Sequence, residues 1–463
     1  MTVEERIKNR QIGIIGMARS GMSAAYLAVS QGGRPFVSDS ARAELLTKQT
    51  DRLKRDGIPF ETDCHSERLL QCDYLVISPG VPSNLDILQK AQKKGIPIFS
   101  ELEFAFWVCR GKVIAVTGSN GKTTTTSLIG EVFSGAHYDT FVCGNIGRPF
   151  SEIASKIDED DIAVVEVSTF QLEAIADFKP HIALILNLTV DHLDRHGTFE
   201  KYKALKYRIT ENQTADDFLI LNRDDQQIMS DNVTTDARKV FFTTTDAVEA
   251  GSFVKGGYLY GKQHQEESRI IKCSDILIPG PHNLQNAAAA VCVATLFNIP
   301  APTIEKALRS FPGVEHRLEN VGRVAGVRFI NDSKATNIDS VCWALKSMET
   351  PTYLIAGGRD KGNDYRPLIE YGADKVKGLV VIGEAKEKIF NALGKAFPIQ
   401  FADSLEDAVR KCFDQAHPGE TVLLSPGCAS FDMFDNFEHR GRVFKAAVAS
   451  LKNGTQKNQT VPG

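Results

Sequence analysis

Several features are missing from this sequence, and each absence narrows the function. No apolar run in the 463 residues approaches the ~18 residues of a membrane span, and the opening Met-Thr-Val-Glu-Glu-Arg-Ile-Lys has no signal-like apolar core. The expectation is a cytoplasmic protein with no membrane insertion. Charge of one sign is missing too. The 54 basic and 58 acidic residues are interspersed and the formal net charge is −4, so no polybasic stripe marks nucleic acid or anionic lipid as a partner. Small charged substrates suit such a composition. The nine cysteines include no C-x-x-C pair, which argues against a zinc cluster or a disulfide framework. Cys292 and Cys342 stand among apolar neighbours and read as buried thiols.

What is present begins at residue 113. Val113-Ile-Ala-Val-Thr117 is a β-like run, and it leads into Gly118, Ser119, Asn120, Gly121, Lys122, Thr123 and Thr124. Two glycines allow consecutive backbone N–H groups to face a phosphate, and a helix from Lys122 to about Phe133 brings its positive end to the same place. Lys122 suits the terminal phosphates of ATP and the Thr123 hydroxyl suits Mg²⁺. The strict G-x-x-x-x-G-K-[ST] spacing is not met, because Val116 stands where the first glycine belongs. The loop is a shortened variant.

The predicted fold class is α/β with three domains, each a mostly parallel sheet covered by helices. A Rossmann-like N-terminal domain is expected over 1–100. It opens with the turn Gly16-Met-Ala18-Arg-Ser-Gly21, and Asp39 ends its second strand. Ala18 replaces the middle glycine of a dinucleotide fingerprint, so Gly16 and Gly21 serve either a ligand or close helix–strand packing. A central P-loop ATPase-like domain is expected over 101–313. Its strands 161–167 and 181–187 are nearly continuous apolar runs, as parallel strands covered on both faces require, and a buried helix follows over 286–297. A Rossmann-like C-terminal domain is expected over 314–463, with strands at 352–356, 378–382 and 421–425 and helices at 385–393, 405–416 and 438–451.

Ligands of open α/β sheets gather outside the carboxyl ends of strands. Glu166 is placed there, where its carboxylate serves either a divalent cation or a salt bridge. His192 lies in a polar cluster just after a core strand. It reads as a structural hydrogen-bonder or, beside a phosphate loop, as a metal ligand. Asn283 and Asn286 open the buried helix, Arg317 carries a guanidinium able to reach phosphate, and Asp332, Lys334 and Thr336 follow a strand. Each of these also reads as a helix cap or a solvated loop charge.

In order, the chain carries Thr-Gly-Ser-Asn-Gly-Lys-Thr, Gly144-Asn145-Ile-Gly147, Glu166-Val-Ser-Thr-Phe-Gln-Leu-Glu and Asp191-His-Leu-Asp-Arg-His. Gly280-Pro-His-Asn-Leu-Gln-Asn, Glu315-His-Arg, Asn331-Asp-Ser-Lys-Ala-Thr-Asn and Ser425-Pro-Gly-Cys-Ala-Ser430 follow. This series resembles the Mur ligases, a family that includes the folylpolyglutamate synthetases. The Asp-Ser-Lys-Ala-Thr-Asn stretch, with Asp435-Asn436-Phe437 after Ser430, is most similar to the members that add D-glutamate.

The resemblance implies a peptidoglycan-precursor ligase. ATP phosphorylates the terminal carboxylate of UDP-N-acetylmuramoyl-L-alanine, and the amine of D-glutamate attacks the acyl phosphate. By the family pattern Thr123 and Glu166 hold one Mg²⁺ and His192 a second, with Asn145 near the reacting group. Lys206 falls where the family carries a carbamylated lysine; from the residues alone it reads as a plain lysine on an amphipathic helix. Asn286 matches an adenine contact and Asp332 a ribose contact. Lys334, Thr336, Lys361, Ser430 and Phe437 match the D-glutamate positions, and Arg19, Ser20, Asp39 and Ser40 the uridine end. A monomer is expected. Two other classes compete. A nicotinamide dehydrogenase explains only the first hundred residues, and a non-catalytic ATP switch leaves the donors of the third domain unused.

Overall fold

The structure is a computed structural model that describes residues 2–82, 84–190, 193–245, 247–264, 266–360 and 362–459. Three sheets organise it. The first has five parallel strands in the order Phe60–Glu61, Arg34–Ser38, Gln11–Ile15, Tyr74–Ile77 and Ile98–Ser100. The helix Arg19–Ser30 covers it, burying Met22, Ala24, Ala25, Leu27 and Ala28. A Cβ on Gly21 would stand 1.8 Å from the carbonyl oxygen of Gly16. Close packing of helix on strand turn is therefore a real demand at Gly21.

The second sheet has nine strands, and Lys112–Thr117 lies in its interior between Ile162–Glu166 and Ile182–Ile185. Val113, Ile114, Ala115 and Val116 are all buried, as a strand covered on both faces requires. The helix Pro281–Leu296 is also buried nearly all round, with Ala287, Ala288 and Ala289 at 0% exposure. It begins five residues earlier than the expected helix over 286–297.

The strands Phe218–Asn222, Arg238–Phe242, Gly251–Lys255, Tyr258–Gln263 and Glu266–Lys272 extend this sheet, the last two pairings antiparallel. None was anticipated. A signal was available, since Gly256 and Gly257, both at positive φ, join two short runs in the manner of a two-residue hairpin.

The third sheet has six strands. Glu319–Val324 pairs antiparallel with Val327–Asn331, and the rest are parallel. The helices Lys386–Leu393, Leu405–Gln415 and Phe437–Gln459 match the expected positions, the last running further than the pattern suggested. The first two sheets share one compact unit, Met1–Ile276 with Leu284–Ser310. The third belongs to another, Leu277–Asn283 with Phe311–Gly463.

Candidate active site

The strand Lys112–Thr117 delivers the chain into a turn that only glycine accommodates. Gly118 has φ +149° and Gly121 φ +84°, and a Cβ on Gly121 would meet Asn286 Oδ1 at 2.4 Å. The loop between them is fixed by neighbours. The Asn120 N–H donates to Asn187 Oδ1 (2.8 Å), and Asn187 Nδ2 returns a bond to the Asn120 carbonyl (3.0 Å). Ser119 Oγ donates to the Thr189 carbonyl (2.9 Å), accepts from the Thr189 N–H (2.9 Å) and meets the Tyr202 hydroxyl (2.9 Å). The helix Lys122–Gly135 starts here with no acidic residue in its first turn, so its positive end faces the loop unopposed. Lys122 Nζ folds back onto the carbonyls of Gly118 (2.7 Å) and Ser119 (2.8 Å).

Glu166 stands at the end of the strand paired with this one and is 1% exposed. Its Oε1 accepts from Asn145 Nδ2 at 2.9 Å, while Oε2 is buried with no hydrogen-bond partner among the described residues. The backbone N–H of Asn145 donates to the Glu166 carbonyl (2.9 Å), which locks the two residues together. A buried carboxylate oxygen left bare is costly, and a hard cation satisfies it. Thr123 is buried at the start of the helix, and the Thr124 hydroxyl is buried with no hydrogen-bond partner among the described residues.

Lys206 is no surface lysine. It is 1% exposed, its Nζ donates to the Gly118 carbonyl at 2.9 Å, and it lies 4.6 Å from the centre of the Tyr202 ring. Lys122 and Lys206 thus converge on one carbonyl of the phosphate loop. His192 lies outside the described residues. Of its cluster, Arg195 pairs with Glu173 at 2.8 Å and His196 Nε2 meets Thr169 Oγ1 at 3.0 Å. Asn286 Oδ1 accepts from Thr125 Oγ1 (3.1 Å), which packs the buried helix against the loop.

In the second unit, Asp332 Oδ2 accepts from Ser425 Oγ (2.8 Å) and Oδ1 from the Leu318 N–H (3.2 Å). Burial pushes this carboxyl up to about 7, outweighing the Ser425 hydroxyl and the Arg317 charge. Arg317 Nε is buried with no acceptor among the described residues. Lys334 Nζ lies 5.5 Å from the centre of the Phe437 ring, so two of the expected amino-acid residues meet. Ser430 is 2% exposed and Thr336 half-buried. Lys361 lies outside the described residues.

Arg440 was missed. Fully buried, it donates from Nε to Ser333 Oγ (3.0 Å), from Nη2 to the carbonyls of Ser333 (2.8 Å) and Cys428 (3.2 Å), and from Nη1 to Cys428 (3.1 Å). It ties the loop carrying Lys334 to the loop carrying Ser430. Burial brings its guanidinium down to about 10. The signal was its register: Phe437, Arg440 and Phe444 share one helix face, an apolar stripe with an arginine in it. Glu315, His316 and Glu319 bring potential ligand atoms together, but Lys445 Nζ bridges the two carboxylates, at 2.9 Å from Glu319.

At the first sheet, Asp39 Oδ2 accepts from the Met17 N–H (2.6 Å) and Oδ1 from the Ala41 N–H (2.9 Å). Arg19 Nη1 donates to the Gly147 carbonyl (3.1 Å), linking this turn to the loop that carries Asn145. Ser20 is half-buried and Ser40 exposed.

With this geometry in place, comparison with known proteins adds lineage. Residues 10–100 match the Mur ligase MurD-like N-terminal domain, 116–294 the Mur ligase middle domain, and 316–428 the Mur ligase glutamate ligase domain. The chain is 42% identical to a UDP-N-acetylmuramoylalanine--D-glutamate ligase of Chloroherpeton thalassium, covering 97% of this chain and 100% of the relative. It is also 42% identical to the protein of that name from Koribacter versatilis, with the same coverage. Among solved structures it resembles UDP-N-acetylmuramate-alanine ligase MurC of Thermotoga maritima (TM-score 0.61, 20% identity, 96% of this chain and 100% of that one). It also resembles the MurF ligase of the same organism, solved with ADP (TM-score 0.58, 14% identity, 98% and 97%). At these identities the two structures speak for the fold.

Proposed function

We propose, from the premise that this chain belongs to the Mur ligase family, that it is an ATP-dependent ligase joining D-glutamate to UDP-N-acetylmuramoyl-L-alanine in peptidoglycan precursor synthesis. The reaction proceeds through an acyl phosphate. The γ-phosphoryl group of ATP passes to the alanine carboxylate, ADP leaves, and the D-glutamate amine displaces phosphate to form the amide. Phosphoryl transfer needs placement and charge neutralisation more than covalent help from the protein. The observation that carries this reading is Glu166, a buried carboxylate with one bare oxygen held by Asn145 beside a glycine-built phosphate loop.

The residues fit Mg²⁺. The bare Glu166 oxygen and the buried Thr123 hydroxyl are oxygen donors of the kind this ion prefers, and His192 joins the proposed set. Bound there, the ion supplies positive charge to the phosphate oxygens. The protein's own groups do the rest. Lys122 exchanges the loop carbonyls for terminal phosphate oxygens, and the N–H groups of 118–124 cradle the phosphates. Arg317, whose Nε has no partner among the described residues, reaches phosphate, and Asn286 and Asp332 serve adenine and ribose. Asn145 orients the reacting carboxylate. Lys206, as a carbamate, would turn from cation to anion at the metal site.

Lys334, Thr336, Lys361, Ser430 and Phe437 receive D-glutamate, and Arg19, Ser20, Asp39 and Ser40 the uridine end. The division of labour follows 1–100, 101–313 and 314–463. The described residues contain no helix long and apolar enough to cross a membrane. A cytoplasmic monomer is the proposed form, checked by light scattering.

The deciding experiment is an amino-acid panel with UDP-N-acetylmuramoyl-L-alanine and ATP, read as phosphate release. D-Glutamate should support turnover and D-alanine should not, because losing one carboxylate leaves donors unpaired, a loss of roughly four orders of magnitude in favourable cases. Ser430→Ala should raise the KM for D-glutamate more than that for ATP. Efficient use of meso-diaminopimelate, L-lysine or L-alanine would overturn the assignment.

A further inference from the structure

In the second sheet the strand Ile182–Ile185 lies between Lys112–Thr117 and Phe218–Asn222. Past its end the segment 186–189 is bonded to both neighbours. Toward the phosphate loop, the Leu186 N–H donates to the Thr117 carbonyl (3.0 Å) and the Asn187 carbonyl accepts from the Ser119 N–H (3.0 Å), beside the Asn187 and Thr189 side-chain and backbone bonds already described. Toward the other neighbour, the strand ladder ends with Leu221 opposite Ile185. Two side chains continue it. Asn222 Nδ2 donates to the Leu186 carbonyl (2.9 Å), and Asp225 Oδ2 accepts from the Leu188 N–H (2.9 Å).

Both side chains are themselves held in place. Asn222 is buried, and its Oδ1 accepts from the Asp224 N–H (2.9 Å). Asp225 caps the helix Gln226–Asp231, its Oδ1 accepting from the Ile228 N–H (3.0 Å), so each carboxylate oxygen has its own N–H to serve. The far end of that helix is tied down as well. Asp231 accepts from Lys203 Nζ (2.8 Å) and from the Tyr207 hydroxyl (2.6 Å), both on the helix Phe199–Tyr207 that carries Lys206. The support behind 186–189 is thus continuous with the element that brings Lys206 to the Gly118 carbonyl.

We propose that Asn222 and Asp225 are positioning residues for the nucleotide, acting through 186–189 on the phosphate loop rather than by contact with ATP; this rests on the reading of 117–124 as that loop. A cradle of N–H groups works only where each is held within about 0.5 Å of its productive place. Residues 119 and 120 take their place from Asn187 and Thr189. What fixes 186–189 therefore fixes the cradle. Charge alone predicts the opposite sign for Asp225, since removing a carboxylate from the neighbourhood of a polyanion should tighten its binding. Loss of support should weaken it.

Two substitutions separate this role from simple support of the fold. Asp225→Ser keeps a hydroxyl that caps the helix comparably but leaves the Leu188 N–H without its acceptor. Asn222→Asp keeps the size of the side chain and turns an acceptor, in place of a donor, toward the Leu186 carbonyl. The test is calorimetric titration of the full chain with ADP and Mg²⁺, run well below the thermal midpoint of each variant, beside the phosphate-release assay. Each variant should weaken ADP about ten-fold and raise the KM for ATP by a like factor, while the KM values for the UDP-substrate and D-glutamate stay within about two-fold. Unchanged ADP affinity in both variants, tighter binding to Asp225→Ser, or an equal rise in all three KM values would overturn the inference. The binding arm does not depend on the amino acid or the UDP-sugar. Failure of the unsubstituted chain to bind ADP would overturn the phosphate-loop reading and this inference with it, and is seen before any variant is measured.

Discussion

The phosphate loop and the paired loops of the third sheet differ in what is added to their backbone hydrogen bonds. Loop 117–124 takes its shape from two positive-φ glycines and from hydrogen bonds that Asn187 and Thr189, just past the strand Ile182–Ile185, make to its backbone and to Ser119 Oγ. Its reactive side chain, Lys122, rests on carbonyls that phosphate can replace. Loops 331–337 and 425–430 are joined by backbone bonds too, the Gly427 N–H to the Ala335 carbonyl (2.9 Å) and the Asp332 N–H to the Leu424 carbonyl (2.7 Å). They add to these one buried guanidinium, Arg440, and the Asp332–Ser425 bond. The first region keeps its shape by backbone bonds, whereas the second also leans on a charge that burial already disfavours.

The sharpest way to break this contrast is Lys122→Ala. It should lower phosphate release about a thousandfold, with the thermal midpoint unchanged, because the loop keeps its backbone frame. A large fall in midpoint would show that the lysine shapes the loop after all. Arg440→Met should do the reverse. Several buried carbonyls lose their donor at ~1–3 kcal/mol each, so denaturant unfolding should show a loss of about 3 kcal/mol, and the KM for D-glutamate should rise more than that for ATP. Arg440→Lys should rescue little, since a point charge cannot reproduce the fork.

Lys206→Ala sharpens the description of the first region. If a carbamate there helps to place the metal, activity should fall about a hundredfold and formate or acetate should restore part of it by occupying the vacated anion position. Full activity of the alanine variant would reduce Lys206 to a packing residue.

The smallest effect is a pH slope in the second region. Asp332 titrates at about 7 in the folded protein against an ordinary 3.8, so the folded state holds its proton the more tightly. Its contribution to stability is complete below about pH 4 and is lost as the pH rises through about 7, at no more than about 1.4 kcal/mol per pH unit. Urea midpoints measured across that window should fall with rising pH, and Asp332→Asn should flatten the trend. An unchanged slope in the variant would assign it to another group.

Legibility followed the range of the physical signal. The glycine turn and the apolar strands expected over 113–117, 161–167 and 181–187 were readable because burial on both faces leaves a nearly continuous apolar run. The strands over 218–272 were not: Phe218–Asn222 is buried at four of five positions and was missed all the same, the other four are more exposed, and only the Gly256–Gly257 turn marked a hairpin. Lys206 looked like one polar residue on an amphipathic helix. It is instead buried with Tyr202, one turn earlier on the same helix, and reaches the Gly118 carbonyl of the phosphate loop, which no local period records.

By itself the sequence determined the order of three α/β segments, the phosphate loop and the residue types of a Mur ligase, because backbone freedom, side-chain chemistry and strand burial are written locally. Only the tertiary structure decided that Asn145 seats Glu166, that one Glu166 oxygen stays bare, that Lys122 and Lys206 share the Gly118 carbonyl, and that Arg440 joins two distant loops. Three of those meetings join residues 21, 88 and 107 positions apart. A hydrogen bond across such distances depends on how the sheets and helices pack, and no periodicity along the chain encodes it.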